Sequence, residues 1–139
     1  MVETARTGLF AVLHAANSLE ARVESRLAEI GLSLPKLAAL HQLSQAGDSL
    51  PLGQLAERLA CVKSNVTQLV DRLEADGFVT READPSDRRS RLAVITESGK
   101  SAYQKGSQIR QQSEREIFGA LTREEADSLN ALLSKLQGA

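Results

Sequence analysis

Two groups of polar residues could do chemistry in this chain. The first is Lys63, Ser64, Asn65, Thr67 and Gln68, with Arg72 one turn further on. The second is Arg88, Arg89 and Arg91, with Asp87 beside them. Asn and Gln amides can bond an adenine edge through two hydrogen bonds, and Ser and Thr hydroxyls reach bases or phosphates. Arginines on a narrow projection suit the minor groove of a duplex, where negative potential is focused. Both groups therefore suggest recognition by hydrogen bonds and charge rather than covalent chemistry. The sequence shows no Ser/His/Asp or Cys/His spacing, no phosphate-binding glycine loop and no cluster of metal ligands. It predicts no enzyme, no cofactor and no metal site.

The elements that must position these groups follow from apolar periodicity. Leu52, Leu55, Ala56 and Leu59 mark a short helix. A second helix is expected from about Val62 to Ala75, with Val66, Leu69, Val70 and Leu73 on its buried stripe. Ser64, Gln68, Asp71 and Ala75 occupy the opposite face, flanked by Asn65, Thr67 and Arg72. Gly77 is its C-terminal glycine. The period then changes. FVTRE and RLAVI are short β-type segments around the turn signal ADPSDRR. The three arginines are expected at the hairpin tip, with Asp87 holding one of them by a bidentate pair. Short helix, turn, helix with a polar outer face, then hairpin: this is the outline of a winged helix-turn-helix. It predicts a mainly α (α+β) fold and double-stranded DNA as partner.

Helices flank this unit. Leu9, Val12, Leu13, Ala16, Leu19, Val23, Leu27 and Ile30 recur in steps of three and four, the face of one long helix. Ser33 is an N-cap for the next helix, which carries Leu34, Leu37, Ala38 and His41 on one face and closes at Gly47. Thr96 caps a polar helix whose Gly99 and Gly106 imply close packing. Thr122 and Glu125 form a capping box for a last helix expected to bury Leu129, Leu132, Leu133 and Leu136. The two terminal helices have no evident partner within so small a fold. We expect them to build a dimer interface, with packing on each other inside one chain as the alternative. This divides the single domain 1–139 into a winged lobe at 33–96 and dimerisation helices at 1–30 and 97–139.

The 139 residues are 42% hydrophobic, 25% charged and 3% aromatic, with a net charge of -1. The composition is that of a globular chain with an aliphatic core. The net charge gives no support to nucleic-acid binding, so any such contact must come from local patches. No apolar run is long enough for a bilayer span, and no leader pattern opens the sequence. A cytoplasmic location without a membrane partner is expected.

LAERLACVKSNVTQLVDRLEADGFV followed by DPSDRRSRLAVITESGK resembles the MarR family of bacterial transcription regulators. The hairpin with its following strand and TESGK is the specific part. The resemblance implies a triangular homodimer whose base is built from the terminal helices of both subunits. It places Ser64, Asn65, Thr67 and Gln68 on the recognition helix, Arg88 or Arg89 at the wing position, and Asp87 as the acidic partner of the wing. It also implies repression of genes for efflux, oxidative stress or aromatic catabolism, relieved by a small ligand or an oxidant. A small-molecule effector is thus an expected partner.

The chain departs from that pattern at the turn before the recognition helix, where Ala60-Cys61-Val62 stands in place of Gly-Val-Ser. Val62 offers no capping hydroxyl, a loss typically worth ~1 kcal/mol, unless the helix starts later with Ser64 as its cap. Cys61, the single cysteine, reads as a small buried hydrophobe. A redox switch is the alternative, since Lys63 and a helix start would lower the pKa of an exposed thiol. His14 and His41 read as hydrogen-bonded core or interface residues. Alternatively they form a ligand pocket with Asn17, in which Arg22 helps to hold an anion. A winged-helix protein-interaction module and a thiol-responsive regulator remain the alternatives to a ligand-released DNA-binding repressor.

Overall fold

The computed structural model describes residues 8–59 and 65–138. Helix α1 (Leu9–Ala28) leads into α2 (Leu34–Gln45), the short strand β1 (Ser49–Pro51) and helix α3 (Leu52–Arg58). Helix α4 (Val66–Ala75) follows, then the hairpin of β2 (Val79–Asp84) and β3 (Asp87–Ile95). Two helices close the chain, α5 (Glu97–Phe118) and α6 (Arg123–Leu136).

The helix starts are capped as their sequences dictate. Ser33 Oγ accepts from the Lys36 N–H at 3.2 Å. Thr96 Oγ1 accepts from the Gly99 N–H at 3.0 Å and donates to the Gly77 carbonyl at 2.7 Å. Thr122 and Glu125 form the reciprocal capping box. Gly77, with φ of 81°, lets the chain reverse from α4 into β2 in a conformation that costs a Cβ-bearing residue more.

The sheet has the order β1-β3-β2 and is antiparallel. Facing pairs on β2 and β3 include Val79 with Ile95, Arg81 with Ala93 and Ala83 with Arg91. Strand β1 is not visible in the sequence: three residues ending in proline are too few to show alternation. The core gathers Leu27, Leu40, Leu43, Leu55, Val70, Leu73 and Val79, all fully buried. Truncating any of these leucines to alanine would cost about 2–5 kcal/mol.

Glycines on α5 allow close approach, as expected. A Cβ at Gly106 would lie 2.7 Å from Leu32 Cδ1 and 2.8 Å from Leu37 Cδ1. At Gly99 it would strike the Phe78 carbonyl oxygen. The first half of α5 is therefore seated on the winged lobe, and its second half packs beside α1, where Arg26 meets Ser113 and Glu116.

The terminal helices are only lightly packed within one chain. Helix α1 buries only Val23 and Leu27, while Leu9, Phe10, Val12 and Leu13 are exposed. Helix α6 buries no residue: Leu132 is 56% and Leu136 73% exposed, and Leu133 is also open to solvent. The leucine stripe expected to be buried is an uncovered apolar face within one chain. Periodicity identifies the stripe but not the surface that covers it.

Candidate nucleic-acid interface

Helix α4 buries Leu69, Val70 and Leu73 and half-buries Val66, as the periodicity required. Thr67, Gln68 and Arg72 are exposed on its outer surface. Lys63, Ser64 and Cys61 lie outside the described residues. The start of the helix is a correction. It begins at Val66 rather than near Val62, and Asn65, not Ser64, is the cap. Asn65 Oδ1 accepts from the Gln68 N–H at 3.2 Å. An Asn at that position supplies the hydrogen-bond acceptor that Val62 lacks.

The hairpin also differs in detail. Its turn is Pro85-Ser86, so Arg88, Arg89 and Arg91 lie on strand β3 rather than at the tip. All three are exposed. Side chains alternate across a strand. Arg91 therefore falls on the same sheet face as the buried Ala93 and Ile95, whereas Arg88 and Arg89 lie in the irregular stretch between Asp87 and Arg91, where the register with β2 shifts. Asp87 does not pair with an arginine among the described residues. Its Oδ1 accepts from the Arg89 N–H at 2.9 Å, supporting the wing through the backbone. Asp84 does the same on the other side of the turn, accepting from Ser86 N at 2.9 Å and Ser86 Oγ at 2.7 Å. These hydrogen bonds hold the Asp84 carboxyl below its ordinary pKa, the Ser86 hydroxyl contributing most.

Sequence reasoning missed Arg81. Its side chain, 17% exposed, crosses from β2 to α4. Nη2 lies 2.6 Å from Asp71 Oδ1 and Nη1 lies 2.7 Å from Glu74 Oε1. Nη2 also donates to the Thr67 carbonyl at 3.4 Å, and the Arg81 backbone N–H donates to Glu74 Oε2 at 3.3 Å. The hydrogen bond to Asp71 is the main reason the guanidinium is held even further above its already high pKa. Two acids three apart on one helix flank, followed by an arginine on the next strand, were the available signal.

A second feature lies between α2 and α5. His41 Nδ1 is 2.7 Å from the hydroxyl of Tyr103, the chain's one tyrosine. Their rings are 5.7 Å apart and tilted by 46°. They flank a cleft of about 190 Å³ with Leu34, Leu37 and Ala38 as apolar wall and Ser107 and Arg110 as polar rim. His14, Asn17 and Arg22 do not line it; they are exposed on α1. Of the residues expected at a pocket, the structure brings only His41 to this cleft. No helix among the described residues is long and apolar enough to cross a membrane.

Comparison with known proteins converges on the same region. The MarR family pattern matches residues 32–90. The uncharacterized HTH-type transcriptional regulator YkoM of Bacillus subtilis is 36% identical over 107 residues, which is 77% of this chain and 69% of that protein. In another Bacillus relative the aligned segment spans only 46% of its length. Among solved structures, BpsR of Bordetella bronchiseptica, studied for regulation of its DNA binding by 6-hydroxynicotinic acid, superposes with a TM-score of 0.83. It is 21% identical and covers 97% of this chain and 96% of its own. A mutant MarR of E. coli complexed with operator DNA gives a TM-score of 0.78 at 23% identity, covering 92% of each chain. These two likenesses bear on the fold alone. The sequence relationship carries the assignment: the chain belongs to the MarR family of winged-helix transcriptional regulators, DNA-binding proteins rather than enzymes.

Proposed function

We propose that this regulator acts as a homodimeric repressor that reads a pseudo-palindromic operator and lets go of it when a small ligand binds. The observation that carries the reading is the joint presentation of two surfaces. The exposed Thr67, Gln68 and Arg72 lie on α4 and the exposed Arg88, Arg89 and Arg91 on β3, whose hairpin partner β2 is bonded to α4 through Arg81. Side chains on α4, with Asn65, Lys63 and Ser64 before it, enter the major groove; wing arginines take the minor groove. Asp87 holds the wing in shape.

The uncovered leucines of α1 and α6 support the dimer. Large apolar residues exposed along a helix face mark a surface that meets a partner. In this reading residues 33–96 form the DNA-binding lobe, and 1–30 with 97–139 the dimerisation region. The cleft at His41 and Tyr103 is the effector site, and the cytoplasm is the place of action.

Selection from random duplexes tests the reading. It should enrich a two-fold motif with half-sites about 10 bp apart. Replacing Arg88 and Arg89 by alanine should weaken binding and lower the salt slope by about 0.9 for each phosphate no longer neutralised. Enrichment of no motif would leave a winged-helix protein-interaction module as the better account.

A further inference from the structure

We infer that Arg81 is a positioning residue for operator recognition: it sets the roll of α4 against the wing and masks two carboxylates beside the reading surface. The inference rests on the DNA-reading role proposed above. Helix α4 has only 10 residues, too few to hold its own geometry in water. Its apolar contacts through Leu69, Val70 and Leu73 fix its distance from the core. Such contacts are non-directional, so they resist a small rotation about the helix axis only weakly. Hydrogen bonds are directional. The Arg81 guanidinium meets α4 at Thr67, Asp71 and Glu74, a span of about 10 Å along the axis. It thereby fixes the roll that aims Thr67 and Gln68.

The second role is electrostatic. Asp71 and Glu74 have exposed side chains on the helix that carries Gln68 and Arg72. Left alone they would repel a backbone that bears one charge per ~1.7 Å of duplex. Paired with Arg81, the two carboxylates and one guanidinium carry a net charge of -1 in place of -2, which halves the repulsion. No other cation is bonded to either acid among the described residues. A lysine could restore the charge but not the fork that spans three acceptors.

The test compares wild type with Arg81→Lys, Arg81→Met and Asp71→Asn. Each is titrated with a duplex selected by the wild-type protein and with the same duplex carrying one changed base pair per half-site. Arg81→Lys should keep non-specific affinity while the ratio between the two duplexes falls about tenfold, a change of 1.4 kcal/mol. Arg81→Met should in addition lose affinity for both duplexes, and that part of the loss should shrink as salt rises. Asp71→Asn, a milder change that keeps the fold if the methionine variant does not, should lower the ratio without lowering non-specific affinity. A merely structural role would lower the melting temperature and leave the ratio intact, which overturns the inference. A uniform loss on both duplexes with a salt slope smaller by about 0.9 overturns it too, since Arg81 would then touch a phosphate itself. A wild-type protein that selects no duplex would overturn the DNA-reading role and this inference with it; an unchanged ratio in the variants of a protein that does select one overturns this inference alone.

Discussion

His41 and Tyr103 join α2 to α5 by a 2.7 Å contact between Nδ1 and the phenol oxygen, and Leu34, Leu37 and Arg110 sit around the same cleft. An apolar wall beside an arginine and a phenol suits a flat ring bearing an anionic group. Titration with benzoate or a phenolate, followed by Tyr103 absorbance or by calorimetry, should show saturable binding. Tyr103→Phe should weaken it by about 3- to 10-fold, the worth of one hydrogen bond. Binding that is indifferent to both Tyr103→Phe and Arg110→Met would place the effector elsewhere.

Arg26 on α1 grips Glu116 on α5, with Nη2 2.7 Å from Oε1 and Nη1 3.0 Å from the buried Ser113 hydroxyl. The hydrogen bond from Arg26 is the largest cause of a Glu116 pKa below the ordinary glutamate value. A carboxyl depressed in the folded state stabilises it above the unfolded-state pKa. That contribution is lost as pH falls through the lower, folded-state value. The loss should therefore appear only on the acid side, below the ordinary glutamate range. NMR titration should find Glu116 depressed in the wild type and returned towards its ordinary value in Arg26→Met.

The exposed leucines of α6 make a dimerisation test direct. Leu132→Glu with Leu136→Glu places two charges in a face that is apolar and uncovered in one chain. Sedimentation should show a wild-type dimer and a variant shifted towards monomer by at least tenfold in dissociation constant, since each buried leucine is worth about 1.5–3 kcal/mol. The monomer should still fold, because α6 contributes nothing to the core. An unchanged dimer would move the interface away from this face.

The two close-packed glycines of α5 should respond differently to alanine. At Gly106 the neighbours are leucine methyl groups, which can shift, and a mid-helix alanine gains ~1 kcal/mol in propensity. At Gly99 the neighbour is the backbone carbonyl of Phe78, which cannot move without dislodging the chain between α4 and β2. Gly99→Ala should cost about 2–3 kcal/mol and Gly106→Ala at most about 1. Urea midpoints measure both, and equal costs would remove the distinction.

Much of the lobe is legible in the sequence because local rules set it. Val66, Leu69, Val70 and Leu73 repeat at helical spacing, and Ser33, Thr96 and Thr122 announce their helices by capping chemistry. What escapes depends on neighbours far along the chain. Strand β1 exists because β3 pairs with it, and Arg81 matters because β2 runs beside α4. Asp87 is expected to hold an arginine side chain, yet a backbone N–H two residues on lies within easier reach of a short carboxylate. Of the candidate pocket, only His41 is legible, since Tyr103 and Arg110 come from a helix 62 or more residues later. The leucines of α6 are apolar as their spacing says, but they are not covered within the chain.

The seat of Gly99 against Phe78 has a mechanical consequence. Helix α5, with 22 residues, is a rod about 33 Å long. Its near end bears on the segment joining α4 to the wing, where Thr96 also bonds the Gly77 carbonyl. Its far end leads into α6. The same rod is seated a second time at Gly106, against Leu32 and Leu37, two turns further on. Two seats fix a direction where one would leave a swivel, so the lobe should turn with the rod: one degree of tilt corresponds to about 0.6 Å between its ends.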